Sequence, residues 1–177
     1  KIIGDMVSMI QCKTISNRDE KLVDRKEFEK FELLLKERFP YVHKNCILQK
    51  VGKTGLLYFL KGNSSEKPSV CMAHYDVVPI EEDGWDKPAF DGIIEDDCIW
   101  GRGTLDTKGT LCGVLEAAEE LLKNGFKPKN DIYFSFSGEE EIDGNTCADI
   151  VTYLDNKGVK PAFVLDEGGA IIDHVFP

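Results

Sequence analysis

Two adjacent carboxylates, Glu139 and Glu140, stand directly after a predicted strand, where side chains can meet a ligand. Residues 131–137 alternate apolar and polar side chains, which predicts a strand, and Gly138 ends it. In open α/β sheets, ligands bind outside the carboxyl ends of the strands. A carboxylate pair at that edge can hold a cation or exchange protons with a substrate.

Three other segments place possible metal ligands beside a predicted strand or helix. They contribute His74 and Asp76, Asp106, and Asp166 with Glu167. If the strands are parallel, all of these side chains meet at one edge of the sheet. Carboxylates at close range raise one another's pKa, and a divalent cation removes that repulsion. Mixed imidazole and carboxylate ligands suit zinc, cobalt or manganese, and two such ions bridged by one carboxylate form a known hydrolytic arrangement.

Each of these features also has an ordinary structural explanation. A histidine after a strand is more often hydrogen-bonded within the fold, a run of glutamates is usually a solvated loop, and an aspartate before a helix is usually an N-cap. Placement at successive strand ends, with a glycine near each acid, favours a metal site because glycine lets the backbone approach a crowded centre. From spacing and chemistry alone, both interpretations stay open.

The composition limits the class of protein. A chain of 177 residues with 42% hydrophobic and 31% charged residues is typical of one globular domain, and its net charge of −10 argues against a nucleic-acid partner. No apolar run approaches the roughly 18 residues of a membrane span, and the first residues do not resemble a signal peptide. Six scattered cysteines without a CxxC pair predict free thiols and a cytoplasmic location.

The predicted elements alternate between strands and helices. Helices are expected at 2–12, 22–39, 111–122 and 146–157, and strands at 46–51, 56–60, 70–73, 93–94, 98–100, 131–137 and 162–165. Residues 62–68 are predicted to form a polar turn, and the last strand is expected to be buried. The alternation from 70 to 166 predicts an α/β fold with a mostly parallel mixed sheet flanked by helices, to which the early hairpins add antiparallel edges.

Four segments of the sequence resemble the signatures of one known family. They are MAHYDVVP at 72–79, WGRGTLDTKG at 100–109, GEEE at 138–141 and LDEGG at 165–169. Their order and spacing are similar to those of the co-catalytic zinc family that includes aminoacylases, acetylornithine deacetylase, succinyl-diaminopimelate desuccinylase, dipeptidases and carboxypeptidase S. The resemblance covers about residues 40–172. It implies a zinc exopeptidase-like catalytic domain that cleaves the amide bond of N-acyl amino acids or short peptides.

The resemblance also implies a set of metal ligands. His74 would bind one zinc ion, Glu140 would bind the other, and Asp106 would bridge them. Cobalt or manganese could replace zinc with these ligands. The remaining ligand is either Asp166 or Glu167, and likeness to the aminoacylases favours Glu167.

Other residues acquire roles from the same resemblance. Glu139 would be the general base that takes a proton from the bridging water, and Asp76 would hydrogen-bond the far nitrogen of His74 and fix its tautomer. Arg102 and Lys108 are expected to brace their loop electrostatically. Thr107 departs from the family pattern, which commonly has a second acidic residue there.

The family places one more histidine ligand near the C-terminus, after an inserted lid domain that serves dimerisation and substrate binding. His43 lies too early to be that ligand, and His174 follows the last motif too closely. We therefore expect residues 1–177 to be the N-terminal part of the catalytic domain and to be inactive alone. Two other classes are a non-catalytic metal-binding or regulatory protein and a metal-free structural domain. Glu139 favours the enzyme, because a binding protein needs no base beside a ligand.

Overall fold

The computed structural model describes residues 1–167 and contains a five-stranded sheet with helices on both faces. The helices are α1 (Ile2–Ile10), α2 (Arg25–Arg38), α3 (Pro40–Asn45), α4 (Lys108–Lys123) and α5 (Thr146–Asn156). The strands are β1 (Cys46–Val51), β2 (Gly55–Leu60), β3 (Ser64–His74), β4 (Ile93–Glu95), β5 (Cys98–Trp100), β6 (Asn130–Ser137) and β7 (Phe163–Leu165). None of the helices within this range is long and apolar enough to cross a membrane.

The main sheet has the strand order β1-β2-β6-β3-β7. β3 pairs in parallel with both β6 and β7, whereas β2 is antiparallel to both of its neighbours. β2 is therefore the single strand of this sheet that runs against the others. The prediction of a mostly parallel mixed sheet is confirmed, and the hairpin of β1 and β2 adds the expected antiparallel edge. The other predicted hairpin, of β4 and β5, is present but forms a separate two-stranded sheet, so it adds no edge to the main sheet.

Both faces of the sheet carry a hydrophobic core. Successive side chains of a strand point to opposite faces, and β2 shows this directly. Leu56 and Tyr58 join the larger core beneath α1, α2, α3 and α4. Leu57 lies in the opposite core with Ile150 and Leu154 of α5. Because β2 is buried on both faces, its sequence reads as a continuous apolar run and not as an alternating one.

The strand register brings the predicted site residues to one edge. His74 is the last residue of β3 and pairs with Ser137, the last residue of β6. On the other side of β3, Cys71 pairs with Leu165, the last residue of β7. The segments that follow β3, β6 and β7 therefore emerge together at the carboxyl ends of the parallel strands.

The prediction of a polar turn at 62–68 is wrong. β3 already begins at Ser64, which pairs with Asn130, and the register shifts before Ser69. Proline cannot donate a ladder hydrogen bond, so an irregular stretch is where a strand tolerates one, and Pro68 lies in this stretch. The polar side chains there are exposed, which explains why their composition resembles that of a turn.

Two further local predictions need correction. The last strand is present, but its residues Phe163, Val164 and Leu165 are 56%, 50% and 46% exposed. β7 lies at the edge of the sheet, and within residues 1–167 no strand pairs with its outer side.

Pro40 ends α2 as predicted, but it also begins α3, because proline is well suited to the first position of a helix.

Phe31 is a fully buried residue of α2 in the larger core. Its ring is fully buried and stacks on Tyr75, with centroids 5.0 Å apart and an interplanar angle of 5°. We expect Phe31→Ala to lower the free energy of unfolding by about 3–5 kcal/mol, through lost burial and a residual cavity. Leu33→Ala on the same helix is the control, because Leu33 is 68% exposed. Equal losses for the two variants in urea denaturation would contradict this packing.

Candidate metal centre

His74 is the centre of the cluster at the carboxyl edge of the sheet. Its side chain is 1% exposed. Its Nδ1 lies 3.0 Å from the backbone oxygen of Asp76, and because a carbonyl oxygen can only accept, Nδ1 carries a proton. Its Nε2 points the other way and lies 2.8 Å from Oδ1 of Asp106. This orientation is the one that leaves Nε2 for a metal, with Nδ1 held by the protein.

Three carboxylates surround Nε2 of His74. Asp106 is in hydrogen-bond contact, Glu167 lies at 3.7 Å and Glu140 lies at 3.8 Å. His74, Asp106 and Glu167 each offer a ligand atom, and these atoms all lie within 4.8 Å of one another. One imidazole and two carboxylates form a suitable three-residue set for a catalytic zinc ion. The residues present therefore fit the metal that the sequence predicts.

The electrostatics of the cluster also fit a cation. Burial disfavours the charged form of His74, but Asp76, Asp106 and Glu167 outweigh this effect and raise the pKa of His74 to about 9. Burial raises the pKa of Glu167, and repulsion from Asp106 and Glu140 raises it further, against the attraction of His74. A divalent cation among these groups removes the repulsion between the carboxylates.

Asp76 connects the histidine to the glutamate loop. It is fully buried, and its two carboxylate oxygens accept the backbone N–H groups of Glu140 and Glu141, each at 3.1 Å. Its Oδ1 lies 3.4 Å from Nδ1 of His74, slightly farther than its own backbone oxygen. Asp76 thus holds the loop after β6 in addition to facing His74. The loop contact was not foreseen from the sequence.

Asp106 does not cap α4 with its side chain. The N-cap residue of α4 is Thr107, which makes no side-chain capping hydrogen bond, and the Asp106 carboxylate contacts His74 instead. The Asp106–Thr107 peptide bond is cis. The side chain of Asp106 is 67% exposed and therefore faces the open side of the edge.

The two basic residues near Asp106 point away from this cluster. Lys108 is fully buried, and its ammonium donates to the backbone oxygens of Met9 and Cys12 at 3.1 and 2.7 Å. The guanidinium of Arg102 stacks over the ring of Trp85 at 5.2 Å. Both residues contact neighbouring segments of the fold, and the expected bracing of their loop stays a prediction.

Glu139 occupies a separate position beside the cluster. Its carboxylate accepts a hydrogen bond from Thr146 and lies 4.0 Å from the ammonium of Lys53. Within residues 1–167, the carboxylates that lie within 4 Å of the His74 ring nitrogens belong to other residues. A pocket of about 380 Å³ opens next to Glu139. The Glu139 carboxylate therefore lies more than 4 Å from the ring nitrogens of His74 and lines this pocket.

The remaining candidates are placed as follows. Asp166 accepts the N–H of Glu167 at 2.9 Å, so of these two residues it is Glu167 that reaches His74. His43 contacts Phe39 and Tyr58 and has a structural role. Gly168, Gly169 and His174 lie outside the described residues. Sequence reasoning missed Thr146, whose position at the start of a helix gave no sign of a contact with Glu139.

The fold and this cluster define a class: α/β domains that gather a histidine and several carboxylates at the ends of parallel strands. Residues 70–173 match the sequence profile of Peptidase family M20/M25/M40. The chain belongs to this family, which confirms the resemblance to the co-catalytic zinc aminoacylases and carboxypeptidases.

Named relatives agree with this membership. Probable carboxypeptidase S-like 2 of Dictyostelium discoideum is 46% identical over 156 residues, which cover 85% of this chain and 30% of that protein. N-fatty-acyl-amino acid synthase/hydrolase PM20D1 of Xenopus tropicalis is 37% identical over 99% of this chain and 35% of its own length. Carboxypeptidase S of Saccharomyces cerevisiae is 36% identical over 84% of this chain and 27% of its length. The chain thus spans about a third of these relatives.

Solved structures confirm the fold. The M20 family metallo-carboxypeptidase Sso-CP2 from Sulfolobus solfataricus superposes with a TM-score of 0.76 at 25% identity, over 96% of this chain and 38% of that one. Human carnosine dipeptidase 1 gives a TM-score of 0.77 at 16% identity, over 96% of this chain and 39% of that one. At that identity the second likeness concerns the fold alone.

Proposed function

We propose that this chain carries the metal site of a zinc-dependent hydrolase that cleaves the amide bond of N-acyl amino acids or short peptides. One observation carries the proposal: ligand atoms of His74, Asp106 and Glu167 converge within 4.8 Å in a chain of Peptidase family M20/M25/M40. The names of the relatives, carboxypeptidases and N-fatty-acyl-amino acid hydrolases, support a substrate with an amino acid on one side of the scissile bond. Deacylase, carboxypeptidase and dipeptidase activities all belong to this substrate class.

In this proposal, His74, Asp106 and Glu167 hold one zinc ion, and Asp106 and Glu140 contribute to a second. Zinc at such a site polarises a scissile carbonyl and lowers the pKa of a bound water. The mixed imidazole and carboxylate set also accepts cobalt or manganese. Asp76 keeps the His74 ring and the Glu140 backbone in place through the contacts described above.

Glu139 is the general base in this proposal. It stands one residue from a ligand, yet its carboxylate turns to Thr146 and to open space. A carboxylate in that position can take a proton from the attacking water and return it to the leaving amine. A metal-binding protein without catalysis has no comparable use for this residue.

We further propose that residues 1–177 form the N-terminal part of the catalytic domain. The relatives are about three times as long, which leaves room for a lid domain, a late histidine ligand and the rest of the catalytic domain. Homodimerisation through the lid belongs to the same proposal. All six cysteines are free thiols in the structure, which supports the proposed cytoplasmic location.

The chain of residues 1–177 alone is expected to fold, to remain inactive and to bind fewer than two zinc ions. One site has the three protein ligands usual for catalytic zinc, His74, Asp106 and Glu167, whereas the other keeps only Asp106 and Glu140. Zinc per chain after dialysis, and hydrolysis of an N-acetyl amino acid, test this expectation. Two tightly held zinc ions together with strong hydrolysis would show that no ligand is missing.

The activity itself is tested on the full-length protein. We expect hydrolysis of N-acetyl amino acids, N-fatty-acyl amino acids or dipeptides, its loss after treatment with a chelator, and its recovery when zinc is added back. A protein that binds zinc but hydrolyses none of these substrates would instead be a non-catalytic metal-binding protein on the same fold.

A further inference from the structure

The two oxygens of the Glu139 carboxylate differ in their contacts: within residues 1–167 one accepts a hydrogen bond and the other has no hydrogen-bond donor. Oε2 accepts the hydroxyl hydrogen of Thr146. Oε1 has the ammonium of Lys53 at 4.0 Å, beyond hydrogen-bond distance. A general base needs this combination, because one oxygen must be held while the other receives the proton.

The hydroxyl of Thr146 belongs to a chain of hydrogen bonds whose direction can be deduced. A hydroxyl donates a single hydrogen, and an ionised carboxylate can only accept. Thr146 therefore donates to Glu139, so the hydroxyl of Thr54, 3.1 Å away, must donate to Thr146. Thr54 in turn accepts the backbone N–H of Gly138 at 3.1 Å. The chain thus begins at Gly138, passes through two hydroxyls and ends on the adjacent Glu139.

Both threonines in this chain of hydrogen bonds are buried next to regular elements of the fold. Thr54 precedes β2 and is 5% exposed, while Thr146 is the first residue of α5 and is 1% exposed. Both side chains are β-branched, which restricts rotation about χ1. The carbonyl of Thr54 also accepts the hydroxyl of the fully buried Tyr75 at 2.6 Å. The two threonines therefore give Glu139 an anchor that its own loop does not provide.

The backbone of Gly144 packs closely against Glu139. The N–H of Gly144 donates to the backbone oxygen of Glu139 at 2.8 Å. A Cβ added at Gly144 would lie only 2.4 Å from Cβ of Glu139. Position 144 is therefore limited to glycine by the close approach of the Glu139 side chain.

We infer that Thr146 is the positioning residue of the base Glu139, and that Thr54 fixes the hydroxyl of Thr146 in its donating direction. The inference rests on the proposed function, since it assigns to Glu139 the role of proton acceptor. Thr146 itself contacts no candidate metal ligand among the hydrogen bonds of the described residues. Its effect is therefore expected on turnover and not on metal content.

The test compares Thr146→Val and Thr146→Ser in the full-length, zinc-loaded enzyme. Valine keeps the shape but removes the donor, and we expect kcat to fall by about 10- to 100-fold with KM and zinc per chain unchanged, because small displacements of a reacting group are costly. Serine restores the hydroxyl and is expected to restore most of the turnover. Thr152→Val is the matched control, because Thr152 is an exposed threonine on the same helix whose hydroxyl donates to the backbone oxygen of Ala148.

The outcomes separate this inference from the proposed function. A wild-type enzyme without hydrolysis overturns the proposed function and this inference with it. An active wild type with full turnover in folded, zinc-loaded Thr146→Val overturns the inference alone, as does failure of serine to restore turnover. If Thr146→Val does not fold, Thr54→Val decides: a reduced kcat at unchanged zinc content supports the chain of hydrogen bonds, and full turnover overturns it.

Discussion

Asp106→Ala in the full-length protein is expected to lower the zinc content and to reduce kcat by about 10³-fold or more. The carboxylate is in direct contact with Nε2 of His74, and our assignment makes it the bridge between the two metals. Loss of a residue that serves both metals removes carbonyl polarisation and water activation, which together are worth several kcal/mol. Elemental analysis of zinc per chain and steady-state kinetics measure the two effects.

Asp155→Ala provides the matched control for Asp106→Ala. Asp155 is an exposed aspartate on α5, so the same substitution there tests the loss of a surface carboxylate. Zinc content and kcat are expected to stay at the wild-type level. Unchanged metal stoichiometry in Asp106→Ala itself would end the bridging assignment, whatever the effect on turnover.

Glu139→Gln is expected to keep both metals and to lose roughly 10²–10⁴-fold in kcat. Glutamine preserves the size of the side chain and can still accept the hydrogen bond from Thr146, but it cannot take up a proton from water. The variant therefore separates proton transfer from positioning and from metal binding. Zinc per chain, kcat and KM are measured on the same preparation.

Glu29→Gln is the control for the glutamate variant, because Glu29 is exposed on α2 and far along the chain from the site. It is expected to behave as the wild type. A metal-loaded Glu139→Gln enzyme with near-normal turnover would refute the role of Glu139 as the base. Lost zinc in that variant would show that Glu139 is a ligand instead.

Much of the fold can be predicted from the sequence, because apolar periodicity and the glycine and proline residues that end elements are patterns of neighbouring residues. The helix at 111–122 and the strand at 131–137 follow from their apolar patterns, and the observed ends of both lie within three residues of the predicted ones. Exposed edges are harder to predict. The polar start of β3 has the composition of a turn, and the apolar β7 has the composition of a buried strand although it is exposed.

The candidate ligands could be predicted because each stands at a strand end or before a helix, and parallel strands gather such positions. The contacts that hold these ligands in place could mostly not be predicted from their positions at strand ends. Asp76 binds the backbone of Glu140 and Glu141 across 64 and 65 positions, and Thr54 meets Thr146 across 92. Contacts of this kind depend on three-dimensional packing and leave no spacing pattern in the sequence.

Anomalous diffraction at the zinc edge from crystals of the zinc-loaded, full-length protein tests the central claim most directly. The predicted result is an anomalous peak about 2.0–2.2 Å from Nε2 of His74 and from carboxylate oxygens of Asp106 and Glu167. A second peak beside Asp106 and Glu140 would complete the two-metal assignment. An anomalous peak ligated by Asp166 in place of Glu167 would correct one ligand. Zinc bound elsewhere, or no peak at His74, would contradict the proposed metal centre.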